Sequence, residues 1–229
     1  MLADVSKTTN RPKTRKQAIA AARRGHIDVA LETLLALHAA GDAAASAAAA
    51  EILAFQGRWK EMVPCAKALL ADPDAVHAQN VIDDMKALLA LARGKHPKAP
   101  KPERPDRKNY DIAVKEAQVH KSFKGKPKDL AAHCFSLATA YNLDDEVIKR
   151  WDPKHPDLLF DAACEVARAL VRKRRLGPAW TAIESRLGQW YPVDAAQVLP
   201  VVLLTDGILA PLLTPARAAL VLRTPRAGT

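Results

Sequence analysis

The chain has 229 residues, 49% of them apolar and only 5% aromatic, which excludes a wholly disordered protein. Alanine rather than β-branched residues carries much of the apolar share, so the composition predicts an all-α fold. Thirty-five Lys and Arg against 25 Asp and Glu leave a net charge of +10, so the surface attracts an anion, whether nucleic acid, an acidic protein or anionic lipid.

The opening stretch, MLADVSKTTNRPKTRK, has no apolar core of the kind a signal peptide needs. Helices are expected near 12–24, 28–40, 42–56, 59–71 and 75–93, because Gly25, Gly41, Gly57 and Gly94 each close a run with helical spacing. In the second run Ile27, Leu31, Leu34 and Leu35 recur at steps of three and four, a stripe on one face. Connections this short make neighbouring helices antiparallel. Residues 95–108, KHPKAPKPERPDRK, hold four prolines and six basic residues and form a linker or an exposed loop between an N-terminal unit, 1–94, and a C-terminal one, 109–229.

In the second unit helices are expected near 110–121, 128–141, 144–151, 157–175, 178–190, 194–204 and 215–222. Asn142 suits a left-handed turn, and Thr214 followed by Pro215 is a hydroxyl cap with proline in the first turn. VLPVVLL, 198–204, has the composition of a strand, although no partner strand is visible. Pro200, Asp206, Gly207 and Pro211 interrupt the most apolar late stretch, which argues against a membrane span. Cys65, Cys134 and Cys164 are far apart, odd in number and set in apolar helical patterns, so buried free thiols in a reducing cytoplasm are expected.

GHIDVALETLLALHAAGD and GRWKEMVPCAKALLADPD lie thirty-two residues apart and align, with Ile27 on Trp59, Ala30 on Met62 and Leu37 on Leu69. Gly25, Ile27 and Ala30, then Gly57, Trp59 and Pro73, resemble the second helix of the tetratricopeptide repeat; Met62 departs from the small residue that family has there. A weaker copy lies in 157–192, where Arg174 stands at the glycine position. The resemblance implies stacked antiparallel helical hairpins, with an irregular bundle of similar hairpins as the other reading. It also implies a groove lined by the first helix of each pair: Arg15, Ile19 and Arg23; Ala47, Glu51 and Phe55; Cys164, Arg168 and Arg172.

Arginine forks in such a groove suit an acidic peptide or protein. Equally, Arg23, Arg24 and the run 172–175 can be helix C-terminal charges lying in water. The tail from Trp190 onward is similar in texture to uncharacterised bacterial proteins, some found in toxin and immunity contexts. Pro192-Val193-Asp194, Pro200, Thr214-Pro215 and Thr224-Pro225-Arg226 are its clearest points.

No GxxxxGK[ST], GxGxxG, GxSxG or HExxH is present, and His133 and Cys134, being adjacent, diverge on a helix. Asp161 and Glu165 sit one turn apart with Arg168 in reach, which reads as a charge cluster, and Trp180 with Ile183 and Leu187 reads as packing. The expectation is therefore a non-enzymatic protein-binding module without metal or cofactor. Its partner-binding residues would be Arg15, Arg23, Glu51, Phe55, Arg168 and Arg172, its partner an acidic protein, and its role that of an immunity protein; nucleic acid is the alternative partner.

Overall fold

Left-handed turns set the helix ends. A computed structural model describes residues 11–101, 103–119 and 129–226. The first two hairpins are α1 (Arg15–Arg23) with α2 (Ile27–Ala39), and α3 (Ala43–Phe55) with α4 (Trp59–Ala71). Gly25 at φ +85° and Gly57 at φ +70° make the turn inside each, a conformation that costs an L side chain about 1–2 kcal/mol. After a 3₁₀ turn at Pro73–Ala75 comes α5 (Gln79–Ala92), and each of these five helices packs on the next.

The second series is α6 (Arg107–Val119), α7 (Asp129–Ala140), α8 (Asp144–Arg150), α9 (Phe160–Arg172) and α10 (Leu176–Arg186), again packed consecutively. Asn142, at φ +55°, makes the α7–α8 turn. Arg174, at φ +58°, makes the α9–α10 turn, the place that Gly25 and Gly57 hold in the first two hairpins. Its backbone bonding is also theirs: Arg174 N donates to Val171 O and Arg175 N to Leu170 O, each at 2.8 Å. A 3₁₀ turn (Leu187–Gln189), short α11 (Val202–Thr205), another 3₁₀ turn (Ala210–Leu212) and α12 (Pro215–Arg223) complete the order, and the described residues contain no strand. Thr214 Oγ1 caps α12 by accepting from Arg217 N.

The expected all-α class of packed helical hairpins is therefore the observed one. Two expectations change. The helix expected at 194–204 shrinks to Val202–Thr205, because Pro200 cannot donate to a helical ladder and the Glu51 carboxylate takes the amides of Val198 and Leu199. VLPVVLL is accordingly irregular backbone leading into one helical turn, not a strand. The distal ends of the helices expected at 110–121 and 128–141 lie partly outside the described residues.

Burial explains the alanines. Every residue of α3 is buried, and its small side chains let α2, α4, α5 and α12 approach the same helix. Leu34, Ile52, Leu53, Met62, Leu69, Met85 and Leu88 fill the centre of this layer, each burial contributing about 1.5–3 kcal/mol. Cys65, Cys134 and Cys164 are free and buried, as expected. Burial pushes the thiol of Cys65 up to about 11 and that of Cys164 up to about 12. Among the described residues no helix is long and apolar enough to cross a membrane.

Candidate functional site

Helices α1, α3 and α5 present one common face, and each aims a charged side chain from it at the same stretch of the chain, 194–199. From α1, Arg23 donates from Nη2 to the carbonyl oxygens of Asp194 (3.1 Å), Ala195 (3.1 Å) and Gln197 (2.7 Å), and from Nε to that of Gln197 (3.0 Å). From α3, Glu51 Oε2 accepts from Val198 N at 2.7 Å and Leu199 N at 2.8 Å. From α5, Asp84 Oδ2 accepts a longer bond, 3.4 Å, from Gln197 Nε2.

The stretch returns the same kind of contact. Asp194 Oδ2 accepts from His77 N (2.9 Å) and Ala78 N (3.1 Å), the amides just ahead of α5. Its Oδ1 accepts from Ala196 N at 2.8 Å, while Gln197 Oε1 accepts from Val193 N at 2.9 Å, which holds the backbone in a turn that Gln197 N closes on Asp194 O at 3.2 Å. Orphan amides and carbonyls that a helix would have satisfied internally are thus satisfied by side chains from two other helices, α1 and α3, while α5 takes the Gln197 side chain. What the face binds is non-helical peptide backbone, a turn followed by irregular chain, and the peptide is its own.

Electrostatics follow burial. Glu51 is fully buried, and desolvation holds its carboxyl well above the usual carboxylate range. The two amide bonds and Arg23 oppose that rise, while Asp84 adds to it. Desolvation raises Asp84 to about 6, against the Gln197 bond and with the charge of Asp83. Burial lowers Arg23, opposed by Glu51, Tyr191 and Asp194.

The residues expected to line an open groove are all placed, and none projects as a free arginine. Arg15 pairs with Asp42 at 2.8 Å. Arg168 is gripped on two sides, by Asp206 at 2.7 Å and Glu165 at 2.6 Å, and Arg172 meets Asp144 at 2.5 Å. Burial pushes the Asp206 carboxyl up, but the Arg168 bond and two backbone amides bring it below its ordinary value. Ile19, Ala47, Glu51, Phe55 and Cys164 are buried, so they belong to the core rather than to a surface open to a partner. Residues 194–206 meet Arg23, Glu51 and Arg168, whereas Arg15 and Arg172 are held by Asp42 and Asp144 of the hairpins themselves.

A cavity of about 300 Å³ remains beside this contact, between α5, α9 and residues 190–202. Asp84, Asp161 and Glu165 line it together with Phe160, Trp190 and Tyr191. Periodicity hinted at Asp161 and Glu165, one turn apart on α9, but held no sign that α5 and the tail close the other two walls. Asp194 and Asp206 stood out in the sequence only as a point of likeness and a break in an apolar run, and Gln197 not at all; the only signal of their bonding was a run of turn-forming residues around Pro192, Pro200 and Gly207. Comparison of the chain with protein families, curated proteins and solved structures finds no significant match.

Proposed function

We propose that the chain is a non-enzymatic protein-binding helical module of the cytoplasm, and that it neutralises an acidic partner protein by occluding it, as an immunity protein does. The observation that carries this reading is the bonding of residues 194–199. Arg23 reads three carbonyls and Glu51 two successive amides, so the hairpin stack has the chemistry of peptide recognition built into one face.

Since Arg15, Arg23, Arg168 and Arg172 are engaged within the chain, the anionic partner meets other cations. Lys13, Lys16 and Arg24, on and flanking α1, and Arg174 and Arg175 at the α9–α10 turn, are exposed and have no ion pair with a described residue. Exposed cations of this kind steer an acidic surface into contact and lose their pull as salt rises.

The test is affinity purification from the native host with the wild type and with two charge-reversed variants, Lys13→Glu/Lys16→Glu/Arg24→Glu and Arg174→Glu/Arg175→Glu. An acidic protein retained by the wild type and lost from one variant, with helical circular dichroism unchanged, supports the reading. Co-purifying RNA or DNA whose retention falls steeply with salt, by a log–log slope of about −0.7 to −0.9 per phosphate neutralised, replaces the protein partner with nucleic acid.

A further inference from the structure

We propose that the cavity between α5, α9 and residues 190–202 is a binding site for an organic cation, the guanidinium of an arginine side chain presented by a peptide. The cavity reverses the sign of the molecule around it. In a chain of net charge +10, its walls carry Asp84, Asp161 and Glu165 against the single cation Arg168. Arg168 is already neutralised twice over, by Glu165 and by Asp206 outside the lining. Asp161 is exposed and has no hydrogen-bond or ion-pair partner among the described residues; Asp84 has only the 3.4 Å contact with Gln197. Two carboxylates are left with unused acceptor capacity.

Aromatic rings supply the other half of cation recognition. Phe160 and Trp190 line the cavity as buried rings, Trp190 with the Arg226 guanidinium 6.0 Å from its ring centroid, and Tyr191 is the lining ring left open. Tyr191, 69% exposed, and Val193, 67% exposed, are the most exposed large apolar residues among those described, and both line this cavity. An exposed ring beside unpaired carboxylates suits a flat, weakly hydrated cation, which can lie on the ring face while its N–H groups fork to the acids. A compact ammonium fills this arrangement less well because it is more strongly hydrated and offers no plane.

Size narrows the ligand further. At about 300 Å³ the cavity is at the small end for ligand sites and takes one side chain rather than an extended cofactor. The apolar rim of Tyr191 and Val193 would contact the methylene stem. This inference goes beyond the proposed function and does not rest on it, since it concerns a different surface and a ligand of opposite charge.

The experiment titrates the full chain with Nα-acetyl-arginine amide, following heat and tryptophan fluorescence, with the neutral isostere Nα-acetyl-citrulline amide and with Nα-acetyl-lysine amide as comparators. The expected result is saturable binding of the arginine probe near millimolar affinity, weaker binding of the lysine probe and none of the citrulline probe. Asp161→Asn and Tyr191→Ala, both at exposed positions, should each weaken the arginine probe roughly 3–5-fold with unchanged circular dichroism. Asp84→Asn should do the same. Equal binding of arginine and citrulline probes, no saturation with the arginine probe, or affinities unmoved by Asp161→Asn and Tyr191→Ala would each overturn the proposal. None of these outcomes bears on capture of an acidic protein by the basic faces.

Discussion

The hairpins of α1–α5 and the irregular stretch from Leu187 to Thr214 bury comparable apolar side chains, yet they satisfy their backbones in opposite ways. In the hairpins the amides beyond the first turn donate, Pro64 apart, within their own helix, and most side chains are left to pack. In the late stretch the amides of Val198 and Leu199 go to Glu51, those of Ile208 and Leu209 go to Asp206, and the carbonyls of Asp194, Ala195 and Gln197 go to Arg23. A helix carries its own hydrogen-bond partners wherever it goes. An irregular segment can be buried only where another element supplies them, so its place is specified by polar groups as much as by apolar ones.

That contrast can be broken hardest at Glu51. Glu51→Ala leaves two buried amides, Val198 and Leu199, without an acceptor, at about 1–3 kcal/mol each. The expected loss of about 2–6 kcal/mol would appear as a lower urea midpoint. Glu51→Gln keeps an acceptor oxygen for both amides and is expected to restore most of it. If Glu51→Ala costs no more than an exposed substitution, the late stretch is held by packing alone.

Acidity sharpens the same comparison. A carboxyl whose value is raised by folding contributes stability that is full below its ordinary value and is lost as pH rises through the folded one. Asp84 rises from 3.8 to about 6, so the stability of the wild type relative to Asp84→Asn is expected to fall between about pH 4 and pH 6, by on the order of 2–3 kcal/mol. Glu51, raised in the same direction by burial, acts with the same sign above 4.5. Asp206, held below its ordinary value, acts oppositely and loses its contribution as pH falls. Thermal melts of the wild type, Asp84→Asn and Glu51→Gln from pH 4 to 8 check the sign.

The smallest effect lies in the turns. Gly57→Ala forces an L side chain to φ +70° with open space around it, and is expected to cost about 1–2 kcal/mol. Arg174→Gly removes that same penalty at φ +58° and is expected to raise stability by about 0.5–1 kcal/mol, read as a rise of a few degrees in Tm. A decrease would mean that the Arg174 side chain makes a stabilising contact.

These turns also mark how far the fold was legible. Gly25, Gly41, Gly57, Gly94 and Asn142 announced left-handed helix ends because few residues tolerate that conformation, and all five adopt it. Thr214 announced its cap by the same local logic. Arg174 gave no announcement, since an arginine says nothing about φ; only alignment with the earlier hairpins put it at a glycine position. The arginines misled for a related reason. Helical spacing predicts which face of α1 Arg23 occupies, but not that carbonyls 171–174 residues away would be waiting there. The cavity was hidden likewise, because its three walls come from segments that share no period.

Gly207 and Glu51 together carry a consequence for how the molecule is made. A Cβ on Gly207 would lie 2.6 Å from the Pro97 carbonyl, so the proline-rich strap is pressed against backbone synthesised more than a hundred residues later. Glu51 waits similarly for amides 147 and 148 residues downstream. At roughly 5–20 residues per second, a ribosome needs on the order of 10 s to supply them. Throughout that interval the nascent hairpins travel with an unfinished, sticky flank and a carboxyl still bathed in water, and maturation of the earliest helices is timed by the emergence of residues 198 and 199.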